Sequence, residues 1–323
     1  MDMEKIEQAF MLINENIEHI EKTLDTDFYD AFVEQNAAFL GSVNLVNTKS
    51  PTSAEDLLAA LTKNNDRLRA LNLNKKEWQK LFQFVLLKGS QVAPMQPNHS
   101  FTPDSIATLF QFMIESLHSD HKLRILEMGS GTGNLGEYLL VNLNREIDYV
   151  GFEVDDLLLD LSASISEVIG TEATFMQVDA VQSQLMEAVD VVIADLPIGF
   201  YPDIQTAQTF QVGLKEGHTF AHHLMIEEAM KYLKESGFAI FLAPSDLLTS
   251  SQAPQLKEWL THHAHLAAVV TLPEGLFKHD SKAIYLIKKT ATDNNPTFVY
   301  PIDQFTDRER IQDFMNAFQK NVK

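Results

Sequence analysis

The sequence predicts an α/β fold: a doubly wound, seven-stranded, mostly parallel sheet preceded by an N-terminal helical domain. Two observations lead to this prediction. Apolar residues recur at helical spacing through about the first 90 residues, and after Phe101 short runs rich in valine and isoleucine alternate with amphipathic segments. Strands that alternate with helices are typical of a parallel sheet built from βαβ units. We therefore predict a helical domain over residues 1–92 and a sheet domain over residues 93–323.

The helical domain is predicted from its apolar spacing and from its capping residues. The spacing runs from Met3 to Phe39 and is interrupted at Asp25–Asp27, which predicts two helices. Ser53 is predicted to cap the next helix, because two acids follow it in the first turn. Asn74 is predicted to cap a further helix, which Gly89 is expected to end.

Seven short apolar runs are the predicted strands. A link around Pro273–Ser281 joins the last two and is too short for a helical crossover, so the final strand is predicted to be antiparallel. The predicted strands are Arg124–Met128, Tyr149–Phe152, Thr174–Val178, Val189–Ala194, Gly237–Ala243, Leu266–Leu272 and Ala283–Ile287.

The composition excludes several classes of protein. The 323 residues include 25 Lys+Arg and 45 Asp+Glu, a formal net charge of −20, so the surface repels polyphosphate at long range. The segment Asp66–Lys88 is the least acidic, and we expect any unaided contact with nucleic acid there. There is no cysteine, which excludes disulfides and zinc-thiolate sites. Residues 1–20 lack the pattern of a signal peptide and no apolar run is long enough for a membrane span, so we expect a cytoplasmic protein without membrane contact.

A glycine-rich segment, Glu127-Met128-Gly129-Ser130-Gly131-Thr132-Gly133, follows the first predicted strand and leads into a helix that begins near Asn134. Glycines without a Cβ let the backbone turn sharply and approach a ligand closely. The first N–H groups of the helix then face that ligand. We therefore predict that Gly129, Gly131, Gly133 and Asn134 line a ligand site.

Two kinds of ligand suit this segment. Gly131, Gly133 and Gly136 match the fingerprint G-x-G-x-x-G of dinucleotide sites, with Glu153 about 20 residues further on, so a nicotinamide-dependent oxidoreductase stays an alternative. The carboxylate of Glu127 would repel a pyrophosphate. It suits a cationic ligand instead, such as the amino group of S-adenosylmethionine.

Two further acids follow predicted strands where an adenosine needs acceptors. Glu153 ends the second strand, where a carboxylate can accept hydrogen bonds from both ribose hydroxyls. Asp179 ends the third strand, is followed by Ala180, and can accept a hydrogen bond from the adenine amine. The carboxyl ends of the strands form the edge at which open α/β sheets bind ligands. The three acids together favour S-adenosylmethionine as the cofactor.

These residues resemble the class I S-adenosylmethionine-dependent methyltransferases, and within them the adenine-specific DNA methyltransferases, including the modification subunit of type I restriction systems. The resemblance covers the residues from about Phe101 to Lys289. The chain also resembles a stand-alone subgroup of such proteins from Gram-positive bacteria. It implies a Rossmann-like catalytic domain. Phe101-Thr102-Pro103 resembles the family's element at the methionine end of the cofactor. Gly237–Ser245 and Leu272–Phe277 resemble the family's later elements.

Asp195-Leu196-Pro197-Ile198 stands where the family carries its catalytic Asn/Asp-Pro-Pro-Tyr/Phe tetrapeptide. The resemblance implies that the side chain of Asp195 and a backbone carbonyl of the tetrapeptide accept hydrogen bonds from the target amine. It also implies that Asp195 borders the cofactor and that Pro197 is a catalytic residue. Ile198 replaces the aromatic residue that stacks on a flipped base. Phe200 and Tyr201 follow closely, so either can supply the ring, and Tyr201 is predicted as catalytic.

Several interpretations stay open beside adenine methylation in nucleic acid. They are a protein or small-molecule methyltransferase on the same fold and a weakly catalytic, cofactor-binding adaptor. The histidines lack metal-site spacing, so no metal site is predicted. Pro202–Phe220 is long enough to be a lid or a substrate-recognition loop. Few residues remain for a target-recognition domain. We therefore expect weak nucleic-acid binding by the isolated chain, and a specificity or docking protein as partner.

Overall fold

The computed structural model describes residues 1–42, 51–95, 101–277, 281–290 and 295–322. The chain forms two compact units, each built from separate stretches of sequence. The first contains Met1–Phe101, Gly131–Asn144 and Asp155–Gln177, and the second contains Thr102–Ser130, Arg145–Val154 and Val178–Lys323. The N-terminal helices therefore group with segments from the middle of the chain. The domain boundary between residues 92 and 93 stays a prediction.

The elements follow one another in an order that is helical first and mixed afterwards. They are α1 (Met3–Leu24), α2 (Phe28–Phe39), α3 (Pro51–Ala70), α4 (Lys75–Val92), α5 (Asp104–Leu117), β1 (Lys122–Met128), α6 (Asn134–Asn142), β2 (Glu146–Glu153), α7 (Asp156–Ile169), β3 (Ala173–Gln177), β4 (Val189–Asp195), α8 (Ile204–Ala207), α9 (Ala221–Tyr232), β5 (Leu233–Pro244), α10 (Ala253–His263), β6 (His265–Thr271), β7 (Lys282–Lys288), β8 (Phe298–Pro301) and α11 (Arg308–Asn321). Among the described residues, every helix is too short or too polar to span a lipid bilayer.

The helices of the first unit begin at the capping residues that their sequence favours. The predicted break at Asp25–Asp27 is confirmed, because Asp27 caps α2 by accepting hydrogen bonds from two backbone N–H groups. Asn74 caps α4 in a reciprocal capping box with Glu77, as its position predicts. The prediction for Ser53 is wrong, because α3 already begins at Pro51.

Gly89 does not end a helix, contrary to the prediction, since α4 continues to Val92. Its role is packing. A Cβ placed on Gly89 would lie 2.7 Å from a ring carbon of Phe28 and 2.9 Å from one of Tyr29. Both rings are buried. The missing side chain thus lets two aromatic residues of α2 lie directly against the backbone of α4.

The core of the first unit joins the N-terminal helices to α7. Apolar residues from α1 to α4 share one buried cluster with the α7 residues Leu158, Leu161, Ile165 and Ile169. Phe101 packs against the same cluster. The helical segment therefore buries its apolar stripe, which a helix of this spacing must cover.

The second unit contains seven strands in the order β2-β1-β4-β5-β7-β6-β8, and β3 belongs to the first unit. The pairs β1–β2, β1–β4 and β4–β5 are parallel. Strand β7 runs antiparallel to both β5 and β6, which confirms the prediction for that strand. Within its predicted link, residues 278–280 lie outside the described residues. Most residues of β4 and β5 are buried. Their sequences are therefore apolar runs and lack the alternation of polar and apolar residues that a half-exposed strand shows.

The structure confirms the α/β class and corrects the number of strands. The described residues contain eight strands instead of seven, because β8 pairs in parallel with β6 through Phe298–Pro301. This strand has four residues and ends in a proline, so its sequence carries little strand pattern.

Candidate active site

The parallel strands β1, β2 and β4 bring acidic residues to one edge of the sheet. Glu127 precedes the last residue of β1, Glu153 is the last residue of β2, and Asp195 is the last residue of β4. In the ladder, Glu127 lies opposite Gly151 of β2 and Ile193 of β4. Since the carboxyl ends of parallel strands meet at one edge, the second unit gathers three of the predicted site acids there.

Glu127 is held in a defined position by a neighbouring strand. Its side chain is buried and accepts a hydrogen bond of 2.5 Å from the hydroxyl of Tyr149. Tyr149 is itself buried in β2. A buried carboxylate needs such a donor, because an unsatisfied charge is costly away from water.

The backbone that follows β1 turns sharply over the end of β2. The N–H groups of Gly129 and Ser130 donate hydrogen bonds of 2.9 and 2.8 Å to the carbonyl oxygen of Phe152. Gly129 has a φ of 73°, a conformation that residues with a Cβ rarely adopt. The hydroxyl of Ser130 is buried and finds no hydrogen-bond partner among the described residues. Ser130 is thus a candidate ligand contact that sequence reasoning missed.

The rest of the glycine segment lies in the first unit. Gly133 has a φ of 75° and is the N-cap of α6, which begins at Asn134. A Cβ on Gly133 would lie 3.0 Å from the Cβ of Ser162 on α7, so glycine is required for conformation and for space. Gly131 also has a positive φ, of 55°. The ligand roles of Gly131, Gly133 and Asn134 stay predictions.

The two predicted adenosine contacts differ in how they are engaged. Glu153 is buried, and one of its oxygens accepts a hydrogen bond of 2.8 Å from the N–H of Val154. Asp179 is partly exposed and accepts hydrogen bonds from the N–H of Val181, at 2.9 Å, and from the hydroxyl of Tyr201, at 2.7 Å. Ala180, next in the chain, is partly exposed and has no polar side-chain atom.

Asp195 lies at the centre of a polar cluster. One carboxylate oxygen accepts a hydrogen bond of 3.0 Å from the hydroxyl of Thr102. The other accepts a short hydrogen bond from the ammonium of Lys282, the first residue of β7. The side chains of Asp195 and Lys282 are 14% and 9% exposed, so this ion pair is largely withdrawn from water. Burial raises the pKa of Asp195, and Lys282 and Thr102 oppose that rise.

Lys282 was not among the residues predicted from sequence. It is a single lysine before an apolar run, 87 positions away from Asp195 in the chain. Its ammonium also lies 5.6 Å from the centre of the Phe277 ring, within the Leu272–Phe277 element that resembles the family. Only the antiparallel placement of β7 beside β5 brings it to the end of β4.

The loop after Asp195 is fixed at several points. The N–H of Leu196 donates to the carbonyl of Leu242 at 2.8 Å, and the carbonyl of Pro197 lies 3.3 Å from Nδ1 of His222. Burial lowers the pKa of His222 to about 4, so the ring is neutral at pH 7. A neutral ring whose Nδ1 carries the proton can donate to the Pro197 carbonyl.

The two aromatic residues of the loop have different surroundings. Tyr201 is buried, and burial together with the nearby Asp179 carboxylate raises its pKa to about 12, so its hydroxyl is a neutral donor. Phe200 is 58% exposed. Its ring stacks on Phe220 with centroids 4.8 Å apart and planes within 6°, and Phe220 stacks in turn on His222 at 5.0 Å. The second unit thus presents one exposed ring beside Asp195 in the chain and buries the other.

The two ends of the insertion Pro202–Phe220 are held together by an antiparallel bridge between Phe200 and Phe220. The N–H groups of Tyr201 and Ala221 pair with the carbonyls of Thr219 and Gly199. Inside the insertion, the N–H of Val212 donates to Glu227 of α9 at 2.9 Å. Its role as a lid or recognition loop stays a prediction. Among the described residues, no group of three potential ligands is arranged to hold a metal ion.

Comparisons with known proteins agree with this geometry. Residues 79–321 match the model of the N-6 DNA methylase family. The chain is 30% identical to the uncharacterized protein YtxK of Bacillus subtilis (strain 168) over 280 residues, which cover 85% of this chain and 83% of that protein. The chain therefore belongs to the N-6 DNA methylase family.

Solved structures agree with this assignment. A candidate class I S-adenosylmethionine-dependent methyltransferase from Listeria monocytogenes matches at 27% identity with a TM-score of 0.89, over 100% of both chains. The methyltransferase subunit of a type I restriction-modification system from Streptococcus thermophilus has the same fold, with a TM-score of 0.69 at 15% identity. That match covers 97% of this chain and 74% of that one.

The chain is an S-adenosylmethionine-dependent methyltransferase, as the family and the fold imply. The residues of the second unit fit this cofactor. The carboxyl groups of Glu127 and Glu153 have the chemistry to accept hydrogen bonds from an amino group and from hydroxyls, and the buried hydroxyl of Ser130 lacks a partner among the described residues. When bound, S-adenosylmethionine supplies an electrophilic methyl group on a sulfonium centre.

Proposed function

We propose that the chain transfers a methyl group to the exocyclic amine of adenine in a nucleic acid. One observation carries the proposal: a fixed acid and an exposed aromatic ring occur in the same loop. Asp195 is held by two donors at the end of β4, and Phe200 projects with more than half of its surface in solvent. An acid for the amine and a ring for the base are the two groups that this reaction needs.

Asp195 acts on the acceptor amine. The lone pair of an exocyclic amine is delocalised into the base, so the amine is a weak nucleophile. A carboxylate that accepts a hydrogen bond from the N–H group draws electron density back to the nitrogen and stabilises the charge that develops there. Its orientation is fixed before the substrate binds, because Thr102 and Lys282 hold one oxygen each. Transfer is an in-line displacement in which positioning supplies much of the rate.

Phe200 supplies the stacking ring that Ile198 lacks. An aromatic residue stacks on a base through an open face, and Phe200 is the loop residue whose ring is exposed. Phe220 supports the other face of the ring and holds it against rotation. Tyr201 is the residue that the sequence predicts as catalytic. Its ring is buried and its hydroxyl is engaged by Asp179, so we assign it to the loop framework instead.

On the cofactor side, we propose contacts that use the acids of the second unit. Glu127 accepts from the amino group, Glu153 from the ribose hydroxyls, and Asp179 from the adenine amine beside Tyr201. Glu153→Ala is then expected to weaken cofactor binding by about 1.5–3 kcal/mol in calorimetry, because a hydrogen bond to a charged group is lost. Glu167→Ala, at an exposed position on α7, is the control.

The net charge of the chain supports a nucleic-acid substrate that is single-stranded or that is bound with the help of a partner protein. The chain carries a net charge of −20, and several cations of the segment Asp66–Lys88 are already bound within the first unit. Arg69 contacts Asp66 and the Phe39 carbonyl, Lys75 donates to the Gly170 carbonyl, and Lys88 lies 3.8 Å from Glu18. We therefore propose dissociation constants above about 10 μM for duplex DNA near 150 mM salt. A specificity or docking protein would supply the missing affinity.

The experiment measures transfer of labelled methyl groups to a single-stranded oligonucleotide that contains adenine. The matched substrate carries purine in place of adenine, so that only the exocyclic amine is missing. We expect label on the adenine oligonucleotide alone, loss of at least 100-fold in rate for Asp195→Ala, and a loss of about tenfold for Phe200→Ala. Leu185→Ala, at a fully exposed position, should leave the rate unchanged.

Two results would overturn the proposal. Label on the purine oligonucleotide would show that the exocyclic amine is not the acceptor. Label on proteins of a cell extract, with none on any nucleic acid, would assign the chain to protein methylation instead.

A further inference from the structure

The buried ion pair between Lys282 and Asp195 has a consequence for the reaction. A lysine in this environment does not lie there for stability alone. Burying an ammonium and a carboxylate removes the hydration of both, and an apolar pair of the same size is often at least as stable. The two side chains are nevertheless 9% and 14% exposed and in direct contact.

The geometry of the pair restricts the carboxylate. Lys282 holds one oxygen and Thr102 holds the other, from two different parts of the second unit. The carboxylate cannot rotate about its χ2 bond without breaking one of these bonds. A carboxylate has about four lone-pair positions, so each oxygen still has capacity for a further donor. The direction in which that capacity points is thereby fixed.

The charge of Lys282 also acts on the ionisation of Asp195. Burial favours the neutral acid, and a protonated carboxyl group has less capacity to accept from an amine. Lys282 is the charged group that acts on the Asp195 carboxyl, and the hydroxyl of Thr102 is an uncharged donor. The ion pair with Lys282 therefore favours the ionised form of Asp195 against the effect of burial.

We propose that Lys282 is a positioning residue for methyl transfer: it keeps the Asp195 carboxylate ionised and oriented towards the acceptor amine. The proposal rests on the proposed function, because it gives Asp195 the role of acceptor for an amine.

The first test compares the pH dependence of methyl transfer in the full-length wild-type chain and in two variants of it. Lys282→Met removes the charge and keeps most of the side-chain volume, and Lys282→Arg keeps the charge. In Lys282→Met we expect at least a tenfold lower rate at pH 7 and an acidic limb displaced upward by about one to three pH units. Lys282→Arg should retain the limb of the wild-type protein. A Lys282→Met variant that is folded and slow but has an unchanged acidic limb would overturn the proposal.

Asp195→Asn and the double variant Asp195→Asn/Lys282→Met separate this proposal from the proposed function. Thermal unfolding is measured for the wild-type protein, Lys282→Met, Asp195→Asn and the double variant, and it requires no substrate. We expect Lys282→Met to lower the Tm, and we expect Asp195→Asn to restore part of that loss, because no carboxylate then remains uncompensated. Additive changes in Tm would overturn the assigned coupling even if methylation were confirmed. If the changes in Tm are coupled but no methyl group is transferred to adenine, the interaction between Asp195 and Lys282 is supported and the proposed function is contradicted.

Discussion

Each unit of the molecule buries a polar cluster, and the two clusters differ in charge. In the first unit, Asn16, Gln35, Asn64 and Asn65 from α1, α2 and α3 are almost fully buried and hydrogen-bond one another at 2.8–3.2 Å. In the second unit, Asp195 and Lys282 form an ion pair. Amides supply both donors and acceptors, so a neutral network can satisfy itself, whereas a charged pair depends on each member.

The difference separates a structural cluster from a functional one. The amide network joins three helices that are each amphipathic, and its directional bonds favour one arrangement of those helices over sliding alternatives. The ion pair joins the end of β4 to the start of β7 at the edge of the sheet where the acids gather. A charge in such a place is costly, and the role in methyl transfer that we propose for Lys282 would account for it.

The largest effect on stability is expected from Asp195→Ala. The substitution leaves the ammonium of Lys282 largely buried without its carboxylate, which should lower the free energy of unfolding by about 3 kcal/mol. Urea unfolding at pH 7 measures this loss. Asp195→Asn is the control, because its carbonyl oxygen can still accept from Lys282, and about 1 kcal/mol is expected. A loss below 1 kcal/mol in the alanine variant would show that water already solvates the pair.

A somewhat smaller loss is expected from Asn16→Ala, which breaks the neutral network. Its amide nitrogen donates to Gln35 and Asn65, and its oxygen accepts from Asn64, so three buried groups each lose a partner. We expect a loss of about 2 kcal/mol in urea unfolding. The loss should be independent of pH between 5 and 9, because no amide titrates. Gln8→Ala, at an exposed position on α1, should have little effect, and a pH-dependent loss in Asn16→Ala would contradict the comparison.

An interaction can be predicted from the sequence when its residues lie close together in the chain, and this decides how much of each cluster was predicted. Helices, caps and parallel strands depend on neighbours within a few residues, and most of them are predicted, including the break at Asp25–Asp27 and the cap at Asn74. Acids at strand ends are also predicted, because each follows an apolar run. Lys282 has no such local pattern, since its partner lies 87 residues away and only the sheet order joins them.

The exceptions show where local patterns mislead. Gly89 has the sequence context of a helix end, but packing of Phe28 and Tyr29 requires glycine inside α4. Phe200 and Tyr201 are equivalent by sequence, and only burial separates an exposed ring from one that donates to Asp179. Tertiary contacts determine both the role of Gly89 and the exposure of the two rings, and the spacing of residues in the sequence does not contain that information.

A third test asks whether the first unit is neutral throughout its interior. Glu137 of α6 is buried, and burial raises its pKa to about 7, although the hydroxyls of Thr171 and Ser166 oppose the rise. An acid with a raised pKa favours folding most when it is protonated. Its contribution is therefore complete below pH 4.5, its ordinary value, and is lost as the pH rises through about 7.

Glu137→Gln should remove this pH dependence. Relative to the wild-type protein, the variant is expected to gain about 2 kcal/mol of stability between pH 5 and pH 8, measured by urea unfolding at both values. Glu167→Gln, exposed on α7, serves as the control and should follow the wild-type curve. Parallel curves for Glu137→Gln and the wild-type protein would mean that water reaches the carboxylate and that Glu137 is ionised in the folded state at pH 5.

The smallest effect is expected from Tyr201→Phe, which removes a single hydroxyl between two parts of the candidate site. The hydroxyl donates a hydrogen bond of 2.7 Å to the carboxylate of Asp179. The ring is buried, so a phenylalanine at this position keeps the packing. Asp179 remains partly exposed and can take a water molecule in its place, which limits the loss of stability to about 1 kcal/mol. If Asp179 contacts the cofactor, the same substitution frees one of its oxygens, and calorimetry should show unchanged or slightly tighter binding of S-adenosylmethionine. Binding weakened tenfold would instead show that Tyr201 itself touches the cofactor or holds Asp179 in its binding position. That result would extend the charged cluster from Asp195 along the loop to Tyr201 and Asp179, whereas unchanged binding would confine it to Asp195, Thr102 and Lys282.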